Sequence, residues 1–89
     1  MHFEWDRAKA ENNRRKHRVT FDEAVSAFYD PLSATFPDPD TSYAEARLIT
    51  IGRSSQDRLL VVVHTEEGET IRIISARQAT AHERKRHES

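Results

Sequence analysis

The amino-acid sequence predicts an α+β fold with two N-terminal helices, an antiparallel sheet of about four strands and a C-terminal helix. Three observations lead to this prediction. Two helical patterns lie in the first third of the chain, strand-like segments follow one another between residues 33 and 76, and the last three of these segments are separated by short turns. Such turns connect antiparallel neighbours, because a parallel connection needs about a dozen residues or more.

The first elements are a short strand and two helices. "HFEW" at residues 2–5 is strand-like, Asp6 is a candidate N-cap, and a helical pattern then extends to about His17. In "VTFDEAVSAF", Thr20 and Glu23 form a T-x-x-E capping box. The apolar side chains of this segment recur at i, i+3, i+4 and i+7, which predicts a second helix with one buried stripe.

The strand-like segments differ in their expected positions in the sheet. "SATFPD" ends at a proline, which is typical of an edge strand. "RLLVVVHT" is nearly continuous and β-branched, as expected of a central strand, and "ARLITIGR" and "TIRIISA" are its expected neighbours. Gly68 in "EEGE" marks the tight turn before the last strand. The basic segment "TAHERKRHE" predicts the final helix.

The length and composition restrict the class of protein. Eighty-nine residues form one domain, 1–89, and the absence of cysteine excludes disulfides, thiolate zinc sites and a thiol nucleophile. His82 and His87 are five residues apart, about 140° around a helix, so we expect no helical metal pair. No nucleotide-binding glycine motif is present, and we expect no cofactor and no metal. The longest apolar run, Leu59 to Val63, is too short to span a membrane, and "MHFEWD" is no signal peptide, so we expect a cytoplasmic protein.

The net charge of −1 conceals an uneven distribution. Residues 1–20 carry six Lys/Arg and three acids, residues 21–45 carry six acids and no Lys/Arg, and residues 46–89 carry eight Lys/Arg and six acids. These segments therefore have charges of +3, −6 and +2. A neutral total can thus hide a basic and an acidic surface, and it is the local field that attracts or repels a polyanion.

Basic side chains recur on one face of the first helix. Lys9, Asn13, Lys16 and His17 lie at i, i+4, i+7 and i+8 and share that face. One interpretation is a solvated helix side on which His17 stabilises the C-terminal end of the helix dipole. The alternative is a phosphate-binding ridge, because lysines and an amide bind nonbridging oxygens.

Arginines recur at strand positions and strand ends, and strict alternation predicts where they point. Arg72 shares a face with Ile74, whereas Arg77 shares the other face with Ile73. The arginines either extend along an exposed strand face or line a cleft in which guanidinium groups bind phosphate. His64 is a candidate general acid or base, because histidine titrates near neutral pH, although a structural role is the alternative.

The segments "FEWDRAKAENNRRKHRVTFDEAVSAFYDP", "FPDPD" and "ITIGRSSQDRLLVVVHTEEGETIRIISARQATAHERKRHE" together resemble the BrnT family, toxins of bacterial type II toxin–antitoxin pairs. The resemblance covers nearly the whole chain. Its most specific pieces are "FEWD…K…N…KH.V.F.EA", "IG.S" and "R.ISAR.A…ER". The chain departs from the family pattern at His87, where a tyrosine is common. The matching positions are Trp5, Asp6, Lys9, Asn13, Lys16, His17, Phe21, Glu23, Gly52, Arg72, Ser75 and Arg77.

The resemblance implies a RelE-like ribonuclease domain that cleaves RNA without a metal and stops translation. It also implies a BrnA-type antitoxin partner, whose ribbon-helix-helix part binds operator DNA, so that the toxin meets operator DNA only through the antitoxin. With the family as premise, the candidate catalytic residues are His17, His64, Arg72, Arg77 and His87. The candidate RNA-binding residues are Lys9, Asn13, Lys16, Arg53, Arg84 and Arg86.

Two expectations follow from this premise. The acidic segment, residues 21–45, should face away from RNA, because a carboxylate patch repels a polyanion. The alternative to a nuclease is a non-enzymatic nucleic-acid- or protein-binding module. An enzyme requires a proton-transfer group placed among the cations, so the position of His17 or His64 relative to two or more arginines distinguishes the two classes.

Overall fold

The computed structural model describes residues 1–40 and 46–88 and has the α+β fold that the sequence predicts. Helices α1 and α2 follow the first strand, four further strands come next, and α3 closes the described chain. The elements are β1 (His2–Glu4), α1 (Arg7–His17), α2 (Phe21–Ala27), β2 (Ala34–Pro37), β3 (Leu48–Arg53), β4 (Leu59–Glu67), β5 (Thr70–Gln78) and α3 (Ala81–Glu88).

Both N-terminal helices begin at the caps that the sequence predicts. Asp6 Oδ1 accepts hydrogen bonds from the backbone N–H groups of Ala8 and Lys9 at 2.8 and 3.1 Å, and these bonds lower the pKa of Asp6. Thr20 Oγ1 accepts from the N–H of Glu23 at 3.0 Å. The Glu23 side chain does not complete the capping box, because its carboxylate bonds to Arg58 instead.

The described strands form one five-stranded sheet in the order β1-β5-β4-β3-β2. Strands β2 to β5 pair antiparallel, as the short β3–β4 and β4–β5 turns require for the last three, and Gly68 occupies the β4–β5 turn with φ +61°. The sequence predicted about four strands because it gave no partner for the first one. Strand β1 joins the sheet as a fifth strand, and it runs parallel to β5.

The core lies between one face of this sheet and the pair α1–α2. It contains Val19, Phe21, Ala24, Ala27, Leu60, Val62, Ile73 and Ala76, each at most 2% exposed. Gly52 is required where α2 ends against β3, because a Cβ there would overlap the carbonyl oxygen of Ala27. We call this helix-covered side of the sheet the core face and the opposite side the open face.

The buried carboxylate of Glu23 ties α2 to the β3–β4 turn. The Glu23 carboxylate accepts from the Arg58 guanidinium and from Ser54 Oγ, and the Glu23 side chain is 2% exposed. The hydrogen bond from Arg58, together with the bond from Ser54, lowers the pKa of Glu23. The Arg58 guanidinium bonds to this carboxylate and to the Arg18 carbonyl oxygen, so Arg58 is a structural residue here rather than part of a surface cleft.

Candidate functional site

Helix α1 places a group of basic side chains beside β5. Lys9, Lys16 and His17 line a hollow of about 220 Å³ together with Asn12, Asn13, Ile74 and Ser75. Both lysines are exposed and His17 is half-buried. We call Lys9, Lys16 and His17 the α1 ridge. The shared helix face that the spacing predicted is therefore directed toward a strand edge.

Asn13 holds this ridge in place and has no spare donor for a phosphate. Its amide nitrogen donates to the carbonyl oxygens of Val19 and Ala76 at 2.9 and 2.8 Å, and its Oδ1 accepts from the Ala76 N–H at 3.0 Å. The side chain pairs with the edge of β5 beyond the end of β1, where a neighbouring strand would otherwise bond. Asn13 is 7% exposed. The expected RNA-binding role of Asn13 is therefore replaced by a structural one.

A β-bulge changes the faces on which the β5 arginines lie. Val63 pairs with Ser75 and His64 pairs with Ile73, so Ile74 has no partner on β4. Opposed residues of an antiparallel pair share a face. Arg72, opposite Thr65, and Arg77, opposite Val61, therefore both lie on the open face. Strict alternation predicted opposite faces for the two arginines, and that prediction was wrong because the extra residue reverses the alternation.

The open face carries a groove of about 530 Å³ between the sheet and α3. We call it the α3 groove. Apolar side chains of β3 and β4 form its floor, residues at the end of β2 form one wall, and β5 and α3 supply charged groups. Its lining is Phe36, Asp38, Pro39, Ile49, Ile51, Val61, Arg77, Glu83, Arg86 and His87.

Arg77 and Glu83 fix α3 against β5 at one end of the α3 groove. The guanidinium donates from Nη1 and Nη2 to the two carboxylate oxygens of Glu83 at 2.7 and 2.9 Å. Glu83 Oε1 also accepts from the Thr80 N–H at 2.8 Å, and Thr80 Oγ1 accepts from the Glu83 N–H at 3.1 Å. The Arg77 hydrogen bonds, followed by the Thr80 N–H, lower the pKa of Glu83 to about 2. Glu83 is thus an anion at neutral pH.

Three other candidate arginines lie outside the α3 groove. Arg72 donates to Glu4 at 2.8 Å and lines a separate hollow with Thr65 and Thr70. Arg53 donates to Glu88 at 3.2 Å and lines a hollow near the end of α2. Arg84 is exposed on α3 and is not among the residues that line the groove.

His64 lies in the core and not at a surface. It is 0% exposed, its Nε2 is 2.8 Å from Thr50 Oγ1, and its ring packs edge-on against Phe28 with centroids 4.9 Å apart. Burial lowers the pKa of His64 to about 4, so its neutral form prevails near pH 7. RNA cannot reach this buried ring, so His64 cannot transfer a proton to or from RNA. We therefore interpret His64 as a structural residue.

The acidic residues of the segment 21–45 do not form one surface. Glu23 is buried against Arg58, Asp30 Oδ2 accepts from the Arg53 N–H at 2.7 Å, and Asp38 lines the α3 groove. The hydrogen bond from Arg53 lowers the pKa of Asp30. Glu45, the sixth acid of the segment, lies outside the described residues. Asp38 thus lines the same groove as Arg77 and Arg86, whereas the segment was expected to face away from RNA, which stays a prediction.

Among the described residues, neither His17 nor His64 lines a hollow together with arginines, so the criterion stated for these two histidines is not met. His87 lines the α3 groove with Arg77 and Arg86, whereas His17 accompanies the two lysines of the α1 ridge. The histidine at the position of the family's common tyrosine is thus the one that shares a groove with two arginines. Sequence reasoning did not select Phe36, Asp38 or Glu83 for the site. The T-x-x-E spacing of Thr80 and Glu83 was a usable signal for the last of these.

The described part of the chain contains neither a metal-binding cluster nor a membrane-spanning helix. No three side chains among His, Asp and Glu cluster there as a metal-binding group. No helix of that part is both long and apolar enough to cross a membrane.

Comparisons with known proteins identify the relatives of this chain. A family model described as "Ribonuclease toxin, BrnT, of type II toxin-antitoxin system" matches residues 5–83. The 1.1 Å crystal structure of the Brucella abortus ribonuclease toxin BrnT is similar, with a TM-score of 0.64 and 28% sequence identity. That alignment covers 90% of this chain and 97% of the Brucella chain. A search of curated proteins finds no match.

Proposed function

Because this chain belongs to the BrnT family of ribonuclease toxins of type II toxin–antitoxin systems, we propose that it is a metal-independent endoribonuclease that cleaves RNA and inhibits translation. The observation that carries this proposal is the convergence of Arg77, Arg86 and His87 in the α3 groove. Cations and a side chain that can transfer a proton are what phosphodiester cleavage needs when no metal takes part. We expect the chain to act in the cytoplasm, because the proposed RNA substrate and its translation are there.

The proposed reaction is transesterification within one RNA strand. A general base removes the proton of a ribose 2′-OH, the 2′ oxygen bonds to the adjacent phosphorus, and the bond from phosphorus to the 5′ oxygen breaks. An acid protonates the departing 5′ oxygen. The products are a 2′,3′-cyclic phosphate and a 5′-hydroxyl. Arg77 and Arg86 stabilise the extra negative charge on the phosphoryl oxygens as the new bond forms.

His87 is assigned the proton transfer, because in the described residues it is the histidine that lines the α3 groove. Glu83 is a poor base, since Arg77 holds its pKa at about 2. Its contribution is to orient the Arg77 guanidinium. The α1 ridge lines a hollow together with Ser75 of β5 and is proposed to bind a flanking phosphate.

The test is cleavage of a single-stranded RNA with and without EDTA. Cleavage is expected to persist in EDTA, to fail with a 2′-deoxy nucleotide at the cleaved position, and to leave a 2′,3′-cyclic phosphate. His87→Ala should lower the rate by roughly 10²–10⁴-fold. His82→Ala is the matched control, because His82 is exposed on the same helix outside the groove. Loss of cleavage in EDTA would contradict metal independence, and binding without any cleavage would favour the non-enzymatic module.

We further propose that an antitoxin of the BrnA type, with a ribbon-helix-helix part for operator DNA, covers the α1 ridge and the α3 groove. A tight partner over the cationic surface silences the toxin by mass action. The double variant Lys16→Glu and Arg86→Glu should raise the dissociation constant of the complex. Arg15→Glu is the control, because Arg15 is an exposed α1 cation that pairs with Glu11 and lines neither site. Equal affinity of the folded double variant would refute this placement.

A further inference from the structure

The α3 groove contains more than a phosphate requires. Arg77, Arg86 and His87 suit an anion, but the floor of Ile49, Ile51 and Val61 is apolar and one wall holds a carboxylate. A phosphate gains nothing from apolar contact and is repelled by a carboxylate. A nucleotide carries all three matching features, because it has an anionic phosphate, a flat apolar base face and hydrogen-bond donors on the base edge.

We propose that the α3 groove is a subsite for one unpaired guanine nucleotide, in which Phe36 stacks the base and Asp38 accepts hydrogen bonds from its Watson–Crick edge. The inference rests on the proposed ribonuclease function and specifies its substrate. It adds two positions, one for stacking and one for base selection, to the cationic groups already described.

Phe36 has the position of a stacking platform. It lies on β2, the edge strand of the sheet, opposite Ile49 of β3, and it is 40% exposed although it is a large apolar residue. Phe36 lines the α3 groove, so part of its exposed surface faces that groove. Aromatic side chains beside a cationic groove bind single-stranded nucleic acid by stacking with the bases.

Asp38 is held in a fixed orientation next to this platform. Its backbone N–H donates to the Arg47 carbonyl oxygen at 3.0 Å, and its Oδ1 accepts from the Asp40 N–H at 3.0 Å. A carboxylate accepts two parallel hydrogen bonds from adjacent donors. Guanine presents such donors, N1–H and N2–H, whereas adenine and cytosine present one donor beside an acceptor. A fixed carboxylate therefore selects guanine.

The groove is long enough to separate base from phosphate. Phe36 is on β2 and Arg77 is on β5, three strand spacings away across the sheet, or about 14 Å between their backbones. Both side chains line the same groove, so we expect one nucleotide to place its base at Phe36 and its phosphate near Arg77. The base must leave any duplex to stack on Phe36, so the substrate is a single-stranded segment, a loop or an end.

The test measures binding of fluorescent deoxyuridine heptamers with a central guanine, inosine, adenine or abasic position. These 2′-deoxy probes are not cleaved by the proposed chemistry. The guanine probe should bind tightest and the abasic probe weakest, with inosine between them, because inosine lacks the N2 amine. A preference of about tenfold for guanine over adenine is expected from one bidentate pair.

Variants assign the preference to the two side chains. Phe36→Ala should weaken guanine-probe binding by roughly 5- to 100-fold, and Phe36→Trp should retain it. Asp38→Asn should bring the guanine-to-adenine ratio close to one. Leu32→Ala is the control, since Leu32 is 77% exposed and lies outside the groove. Equal binding of all four probes by the wild-type protein, or unchanged binding in Phe36→Ala, would overturn the subsite.

Cleavage assays separate this inference from the function on which it rests. If the wild-type protein cleaves RNA and Phe36→Ala binds and cleaves as the wild type does, the subsite is refuted and the ribonuclease proposal stands. If the wild-type protein binds the guanine probe through Phe36 and Asp38 but cleaves no RNA, the subsite stands and the ribonuclease proposal is refuted.

Discussion

At the scale of single residues, the Asn13 side chain makes the hydrogen bonds to β5 that a neighbouring strand would otherwise make. The N–H and carbonyl of Ala76 point away from β4 at a place where β1 has already ended, and the Asn13 amide satisfies both. The same amide nitrogen also donates to the Val19 carbonyl oxygen, which lies between α1 and α2. Buried backbone groups without partners are costly, so one side chain here determines how α1 lies against the sheet.

We predict that Asn13→Ala destabilises the protein by about 2–4 kcal/mol, because three buried backbone groups lose their partner. Urea denaturation at pH 7 measures the change. Asn12→Ala is the control, since the exposed neighbour should change the free energy of unfolding by less than about 0.5 kcal/mol. A wild-type free energy of unfolding in Asn13→Ala would contradict the structural role of this amide.

His64 is a second residue whose role follows from burial. Its pKa is about 4 in the folded chain, against about 6.5 in the unfolded chain. The unfolded state therefore binds the proton first as the pH falls, and stability present above pH 6.5 is lost as the pH falls toward 4. The loss amounts to about 3 kcal/mol at most.

We predict that His64→Gln shows a flatter stability profile between pH 6.5 and 4.5 than the wild type, because glutamine can bond to Thr50 without titrating. Glu83, with its low pKa, contributes to acid sensitivity only below about pH 4.5. Thermal unfolding at pH 7.0, 5.5 and 4.5 measures the profiles, with His82→Gln as control. His64→Gln should also retain RNA cleavage, and a loss of cleavage by the folded variant would return His64 to the catalytic candidates.

At the scale of elements, local signals predicted most of the fold and long-range pairing supplied the rest. The caps at Asp6 and Thr20 and the turn at Gly68 are all local features, and the structure contains them. Strand β5 contains no glycine or proline that would have predicted the bulge at Ile74. The parallel pairing of β1 with β5 joins segments almost 70 residues apart, and no short pattern encodes such a contact.

The candidate site was predictable to a similar degree. Composition pointed to the basic residues of α1 and α3, but the face on which Arg77 lies depends on the bulge, and the groove depends on where α3 docks. In the sequence, Phe36 lies in an ordinary edge-strand pattern, and Asp38 lies just after it. They join the site because the sheet order brings β2 across from β5 under α3.

Helix α3 depends on its first turn. It has eight residues and no buried side chain, and a helix of this length is marginal without support. The capping box of Thr80 and Glu83 and the Arg77 ion pair provide that support. Groove geometry and helix capping are therefore linked through Glu83.

We predict that Thr80→Ala loosens α3 without unfolding the sheet. Loss of the cap costs about 1 kcal/mol, which corresponds to roughly fivefold faster amide exchange in α3. Hydrogen–deuterium exchange measures this for the α3 amides, with β4 as the internal reference. His82→Ala, which keeps the cap, is the control variant. Equal exchange in Thr80→Ala and wild type would mean that the capping box does not hold the helix.

At the scale of the whole molecule, charge is organised by local placement and not by chain segment. Glu23 pairs with Arg58, Asp30 accepts from the Arg53 N–H, and Asp38 lines the α3 groove, so these acids do not share one surface. The candidate cations lie in two places beside β5, the α1 ridge and the α3 groove. Ser75 lines the hollow beside the α1 ridge and Arg77 lines the α3 groove, and the two residues are two positions apart on the open face of β5.

The closeness of these sites predicts that a single RNA strand contacts both. Each phosphate neutralised on a single strand contributes about 0.7 to the slope of log affinity against log salt. Lys16→Ala and Arg86→Ala should therefore each reduce the slope by about 0.7, and the double variant by about 1.4. Binding of an uncleavable 2′-deoxy oligonucleotide over a series of salt concentrations measures the slopes. Arg15→Ala should leave the slope unchanged, because Arg15 lines neither site. A double variant with the slope of either single variant would show that the strand contacts one site and not the other.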